Sequence, residues 1–338
     1  SVVKPDSAAD IHARAQAANL YLPEQTISML PPEATGLLGL GLHETSPALS
    51  FGITLRDNGS LDQVEVHPSR IKVERLSYAR AQELLDQPPL KEIYALTQKY
   101  HEFRKAQNAV FISLPEVKIR VENGRVSIKP LPALNSREMV TDAMLMAGEA
   151  AARFALANSF PFPFVTQPQP ETLENPSDLA GMFAYRRQLK PSEVRATPGP
   201  HAGLGLEAYS RATSPLRRYA DLVAHQQIRA ALTRQKLLDE QEMLNRIGSA
   251  AAMTGNVRKL ERLSNLHWTL VYLLQNPGWR GKGVVVEKKE RFDVIIIPAI
   301  GMETRLSVTQ ELALNEEIDL GVTGIDLPGL TARFTNKF

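Results

Sequence analysis

Apolar positions along this chain change their period several times, and each change marks an element. Two-residue alternation runs through "ALSFGITL" (48–55) and "QVEVHPSRIKVERL" (63–76), with the turn signal "RDNGS" between them, which predicts a hairpin. Helical spacing then takes over in "SYARAQELLDQPPLKEIYALTQKYHEFRKAQ", broken at its two prolines. Two further strands are read in "AVFISL" and "VKIRVENGRVSIKPL", the second folded back at "ENGR". "NSREMVTDAMLMAGEAAARFALAN" predicts a long helix, with Asn135 or Ser136 as N-cap and Glu138 completing a capping box. The proline- and phenylalanine-rich "SFPFPFVTQPQPETLENP" reads as loop.

Downstream, "ATSPLRRYADLVAH" (212–225) predicts a helix that starts at Thr213 or Ser214, with Pro215 at its first position. Two more helices are expected in "LTRQKLLDEQEMLNRIG" and "NVRKLERLSNLHWTLVYLLQ". From Trp279 the pattern becomes five short strands, "GVVVE", "FDVIIIP", "ETRLSV", "EIDLGVTGID" and "TARF". Five strands in so short a segment resemble a small OB-type barrel. The expected architecture is therefore α+β: a mixed sheet or barrel packed with helices over residues 1–275, followed by an all-β barrel over 276–338.

Composition narrows the function classes. Of the 338 residues 43% are apolar and 22% charged, an ordinary globular balance. There is no cysteine, so disulfides and thiolate metal sites are excluded. No apolar run approaches the roughly 18 residues of a membrane span, and the first residues carry no secretory pattern. The chain opens without Met, and the expectation is that it belongs to a longer polypeptide. Its seven histidines show no paired metal spacing, and neither a phosphate-binding G-x-x-x-x-G-K-[ST] loop nor a G-x-S-x-G elbow is present.

Net charge is only +2, yet Arg186, Arg187, Lys190, Arg195, Arg211, Arg217 and Arg218 face only Glu193 and Glu207 across 186–218. A local positive patch points to an anionic ligand. In the expected helix, Arg217 and Arg218 occupy the first turn, where the dipole disfavours each cation by about 0.3–1 kcal/mol. A phosphate at that helix start would explain them, held by free N–H groups and a guanidinium fork. The bland alternative is an ion pair between Arg217 and Asp221, four residues on. Spacing leaves both open.

"HAGLGLEAYSRATSPLRRYADLVAHQQIRAAL" resembles the signature block of the ribonuclease II/R family, the RNB domain, of form H-x-x-L-G-L-x-x-Y-x-x-x-T-S-P-I-R-R-Y-x-D-L-x-x-H. "VVKPDSAADIHARAQAANLYLPEQTISMLP", "HPSRIKVERLSYARAQELL", "NSREMVTDAMLMAGEAAA" and "LERLSNLHWTLVYLL" follow the family's order, and an S1-like OB barrel closes such chains. The resemblance implies processive 3′→5′ hydrolysis of single-stranded RNA to nucleoside 5′-monophosphates with Mg²⁺ or Mn²⁺. It implies a cytoplasmic monomer without membrane partner.

By the same resemblance Arg217 matches the arginine at the scissile phosphate, with Arg218 beside it. Tyr21 in "LYLPE" and Phe111 in "NAVFISLPE" match aromatics that stack RNA bases, and Glu261 in "LERL" an acid at the same cavity. Without the family, Tyr21 and Phe111 would read as core residues. Three departures stand out. The family's D-x-x-x-x-x-D-x-D-D metal cluster is expected upstream of Ser1. The usual acidic pair before "AMLMA" is Thr141–Asp142, and the R-x-H-x-x-P element is replaced by "VTQPQPE". A non-catalytic RNA-binding relative, or an interaction scaffold built on the barrel, are the competing readings.

Overall fold

The computed structural model describes residues 3–174, 176–307 and 311–336. Asn175 of the proline-rich link and Val308, the last residue of the expected "ETRLSV" strand, lie outside the described residues. Helix α1 (Ala8–Gln16) starts at Ser7, whose hydroxyl accepts the Asp10 N–H. The short strands β1 (Leu20–Tyr21) and β2 (Thr26–Ile27) pair, and α2 (Pro32–Leu38) follows. The predicted hairpin is β3 (Ser46–Leu55) with β4 (Leu61–Ile71). Gly59 turns it at φ +84°, and a Cβ there would strike the Lys99 carbonyl, so no other residue is accommodated without strain.

Helices α3 (Tyr78–Glu83) and α4 (Leu90–Ala106) flank the two prolines, as the sequence predicts. The hairpin β5 (Val117–Glu122) and β6 (Arg125–Pro130) turns on Asn123 and Gly124, both at positive φ. Helix α5 (Asn135–Ala157) comes next, then β7 (Phe164–Thr166), α6 (Leu179–Gln188), β8 (Glu193–Arg195), α7 (Tyr219–Leu232) and α8 (Glu240–Gln275). Strands β7 and β8 form the remaining ribbon of this mixed α/β body.

Four expectations are corrected by the structure. The "AVFISL" segment is extended but joins no strand; Val110 donates instead to the Gly203 carbonyl. At α5 the N-cap is Leu134, without a capping box, because α3 supplies the partners: Gln82 Oε1 accepts the Ser136 N–H, and Ser136 donates to the Tyr78 carbonyl. The proline-rich link is not all loop. It carries β7, and Phe160, Phe162 and Phe164 pack edge to face in the core. The last two helices are one, which runs through Gly248 and Gly255 without a break, and "LTRQKLLDE" contributes the end of α7, a loop, the Asp239 cap and the first residue of α8.

Helix α8, whose 36 residues rise about 54 Å, joins two clusters of the core. Near its start Met243, Ile247 and Ala250 pack with α1 and α7. Near its end Leu270 and Leu273 enter the five-stranded sheet. That sheet is β9 (Arg280–Lys288), β10 (Phe292–Ile297), β11 (Met302–Ser307), β12 (Glu317–Asp326) and β13 (Thr331–Thr335). Its antiparallel order is β11-β10-β9-β12-β13, and the edges β11 and β13 approach each other, so it forms a near-barrel. All five strands were expected from the alternation alone. Among the described residues no helix is long and apolar enough to cross a membrane.

Candidate active site

Helix α7 begins at Tyr219, not at Ser214. Residues 215–217 form a turn instead, in which the Ser214 carbonyl accepts the N–H groups of Arg217 and Arg218, both at 3.1 Å. The reason is tertiary. Arg218 bridges to Ala18, the Asn19 N–H donates to the Arg217 carbonyl at 3.0 Å, and the Tyr219 N–H donates to Ala17 at 2.8 Å. The chain entering β1 is thus stitched along the turn, and helical dihedrals there would break these bonds.

This stitching places four of the expected site residues together. Tyr21 follows closely on the stitched segment and is 44% exposed. Its N–H donates to Glu261 Oε1 on α8 at 2.9 Å, and Asn19 Nδ2 donates to its hydroxyl at 3.3 Å. Arg217 and Arg218 lie across the Ala18–Arg218 bridge. An exposed tyrosine ring held through its backbone is available for stacking, and it is not the core residue that composition alone suggests.

The two arginines behave differently. Asp221 is fully buried and accepts Arg218 Nη2 at 2.7 Å and the Ser214 N–H at 2.8 Å. The Arg217–Asp221 pair allowed by spacing therefore does not form, because Arg217 precedes the helix and Arg218 takes the carboxylate. Arg217 is exposed and makes no side-chain hydrogen bond or ion pair among the described residues. Arg218 Nε and Asp221 Oδ1 are buried without a partner.

Phe111 belongs to a second group of side chains. It is half-buried in the segment after α4, its ring 4.3 Å from that of His101 and 5.3 Å from the Arg104 guanidinium. Asp142 ties this group together: Oδ1 accepts Arg104 Nη1 at 2.7 Å, and Oδ2 lies 3.0 Å from His101 Nδ1. So Asp142, the surviving member of the acidic pair, is an internal partner rather than a surface group. No ring contact or hydrogen bond joins Phe111 to Tyr21 among the described residues. Gln167 in "VTQPQPE" holds the 200–204 loop, accepting the Gly203 N–H and donating to the Lys190 carbonyl. The lost Arg and His of that element are replaced by a structural clamp.

Sequence reasoning missed His201 and Tyr209, although both lie in the signature block. Arg104 donates to the Leu204 carbonyl beside them, and their rings meet edge to face at 5.8 Å. Tyr209 lies within electrostatic reach of Arg104, Arg211, Arg218 and Asp221, and so connects the Phe111 group to the SPLRR turn. Burial raises the Tyr209 pKa. Gly148 makes room for this ring, since a Cβ there would meet Tyr209 and the Ser210 carbonyl.

Burial, reinforced by Arg211 and Arg104, pushes the His201 pKa from 6.5 to about 4. The unfolded chain therefore binds the extra proton between those values. Stability is fully present above about pH 6.5 and is lost as pH falls toward 4, by up to about 3 kcal/mol. His201→Gln is expected to flatten the fall in urea midpoint between pH 7 and 4.5. Parallel pH profiles for the two proteins would contradict this.

Comparison with known proteins shows the family. The RNB domain family matches residues 1–180 and 171–234. The chain belongs to the ribonuclease II/R family. It is 34% identical to an uncharacterised ribonuclease of Synechocystis, covering 96% of this chain and 52% of the relative. It is 27% identical to the chloroplastic/mitochondrial ribonuclease II of Arabidopsis thaliana, covering 95% and 43%. The chain thus spans about half the length of these curated relatives. Mycoplasma genitalium RNase R, solved with ribose-methylated single-stranded RNA, has a similar fold: TM-score 0.85, 17% identity, 99% of this chain and 65% of that one. So does yeast Ssd1, described as a pseudonuclease, at TM-score 0.72 and 17% identity over 95% of this chain and 46% of that one.

Nucleases of this family use Mg²⁺. Among the described residues no group of three or more His, Asp or Glu side chains is placed to hold a metal ion. The described residues do not by themselves fit Mg²⁺.

Proposed function

We propose that this chain is the body of a 3′→5′ exoribonuclease that holds single-stranded RNA and releases nucleoside 5′-monophosphates. The observation that carries it is Arg217: an exposed guanidinium without a hydrogen-bond or ion-pair partner among the described residues, on a turn stitched to the segment that presents Tyr21. A planar fork suits a non-bridging pair of phosphate oxygens. Charge that develops on those oxygens during hydrolysis is stabilised by a guanidinium already in place. Arg218, fixed by Asp221, supports the same anion from behind. Tyr21 stacks a base near the 3′ end without reading its identity, and Glu261 fixes the Tyr21 backbone. Phe111 is assigned to the far side of the base stack, backed by His101 and Arg104.

In this reading residues 1–275 form the catalytic body and 276–338 an S1-like RNA-binding barrel, acting as a monomer in the cytoplasm. Mg²⁺ or Mn²⁺ is held by carboxylates outside the described residues. A 5′-labelled oligonucleotide given to the intact protein with Mg²⁺ should shorten progressively from its 3′ end. Internal cuts, or shortening without metal, would refute the reading. A second reading, RNA binding without hydrolysis, is favoured by the likeness to a pseudonuclease; it predicts retention of the oligonucleotide at full length. A scaffold that uses only the barrel predicts no RNA affinity in residues 1–275.

Stacking is worth about 1–3 kcal/mol per base, so Tyr21→Ala should weaken RNA binding by about 5- to 150-fold. Because the ring is exposed, stability should change little. Unchanged affinity in a folded variant would return Tyr21 to a structural role.

A further inference from the structure

A buried carboxylate, unused in the proposed chemistry, anchors the turn before α7. Asp10 on α1 is fully buried. Its Oδ1 accepts Gln226 Nε2 from α7 at 2.8 Å. Its Oδ2 accepts Arg246 Nη1 from α8 at 2.8 Å, the Asp6 N–H at 3.0 Å and the Tyr219 hydroxyl at 3.4 Å. Arg246 Nη1 also donates to that hydroxyl at 3.2 Å, and its Nη2 donates to Asp6 Oδ2 at 2.8 Å. Arg246 and Tyr219 are buried as well. One carboxylate thus ties together three helices. Of these α1 leads to Tyr21, α7 follows directly on Arg217 and Arg218, and α8 carries Glu261.

The backbone at both ends of α1 is drawn into the same arrangement. Asp6 and Ala17, one on either side of the helix, sit at φ 59° and 60°, a left-handed conformation that residues with a Cβ rarely adopt. Such residues persist where their surroundings over-determine them. Asp6 gives both its N–H and its carboxylate to the network, and the Ala17 carbonyl accepts the Tyr219 N–H at 2.8 Å. Tyr219 therefore meets the α1 region twice, through its N–H beyond the helix end and through its hydroxyl at Asp10.

We propose that Asp10, Arg246 and Tyr219 are positioning residues, which set the turn against residues 17–19 and so aim the Arg217 guanidinium. The inference rests on the proposed function and adds what holds its cation in place. A seam that had only to be stable could be apolar, since replacing a buried ion pair with well-packed apolar side chains often leaves stability unchanged or raises it. Directional bonds from three helices to one carboxylate instead select a single arrangement. The Arg217 side chain makes no hydrogen bond or ion pair among the described residues, so its place follows that of the turn. Misplacing a reacting group by about 1 Å can cost about 10²-fold in rate.

The test compares Tyr219→Phe, Arg217→Lys and the double variant of the intact protein in single-turnover cleavage, saturated with RNA and Mg²⁺. Tyr219→Phe keeps the ring and the backbone N–H and removes only the hydroxyl. It should lower the rate about tenfold and leave RNA affinity within about twofold, because the other contacts with the strand remain. In the Arg217→Lys background the same change should cost less than about twofold, since the planar fork it aims is already gone. Without RNA or metal, hydrogen exchange at the Asn19 and Tyr219 amides should quicken in Tyr219→Phe, while the urea midpoint stays close to the parent's.

A Tyr219→Phe rate within about twofold of the parent, or unchanged exchange at both amides, overturns the positioning role. So does a rate loss that recurs in full in the Arg217→Lys background, which would make the network a support of the whole site. A loss no larger than the unfolded fraction accounts for, judged from the urea midpoint, would make Tyr219 a support of the fold alone. An intact parent that does not shorten RNA refutes the functional reading itself. A parent that does, slowed by Arg217→Lys but not by Tyr219→Phe, refutes only the positioning.

Discussion

Replacing Arg217 with Lys lowers the single-turnover rate of the intact protein, saturated with RNA and Mg²⁺, by more than tenfold. The charge survives but the planar fork does not, so bidentate contact with the phosphate is lost. An interaction that strengthens as charge develops on the phosphate appears in turnover, not in ground-state affinity. Affinity should change little, because stacking and the other phosphate contacts remain. The fold offers no competing explanation for a rate loss. Among the described residues the Arg217 side chain makes no hydrogen bond or ion pair, and its backbone bonds to Asn19 and Ser214 are kept by Lys. Stability should therefore be unchanged. A rate within about twofold of the parent, far from the tenfold that 1.4 kcal/mol produces, would remove Arg217 from the chemistry.

The elements legible in the sequence are those whose stability is local. The five C-terminal strands, the β3–β4 hairpin with Gly59, and the "ENGR" turn each carry their own alternation and turn chemistry. Elements set by distant partners were not legible. Thr213, Ser214 and Pro215 form a good helix start by capping preference, yet residues 17–19 claim that turn through two backbone hydrogen bonds, which make the Ala18–Arg218 bridge. Gln82 caps α5 from another helix, so the nearby capping box stays unused. The dipole objection to Arg217 and Arg218 dissolves in the same way. The helix starts after them, and the charge in its first turn is Asp221, the sign the dipole favours.

The candidate site shows the same division. The neighbourhood of Tyr21, Glu261, Arg217 and Arg218 spans 240 residues of sequence and is produced by backbone bonds that no local pattern encodes. Only the family motif put those residues on one page. His201 and Tyr209 are the H and the Y of the motif, but the sequence assigns them no role, since burial and ring geometry are invisible in a string. Asp142 stands out in the sequence only as one member of an altered acidic pair. Its burial reveals an internal role, and that role can be tested.

Asp142→Ala is expected to destabilise the protein by about 3–5 kcal/mol, because it leaves the buried Arg104 guanidinium without its carboxylate. Arg104 side-chain exposure is 4% and that of Asp142 is 2%, so solvent screens the pair little. After the change Arg104 keeps only the Leu204 carbonyl as acceptor. His101 loses the 3.0 Å contact that orients its ring, leaving the more exposed Glu138 at 3.7 Å. Phe111, which packs on both His101 and Arg104, loses its backing, so RNA binding should weaken beyond what unfolding explains. Removing both charges should hurt less than removing one, since an apolar pair carries no uncompensated ion. Urea denaturation of Asp142→Leu, Arg104→Met and the double variant measures this. The double variant should be more stable than the sum of the single losses by at least about 1 kcal/mol. Additive losses would show that the two side chains act separately and that Asp142 does not hold Arg104 beneath Phe111.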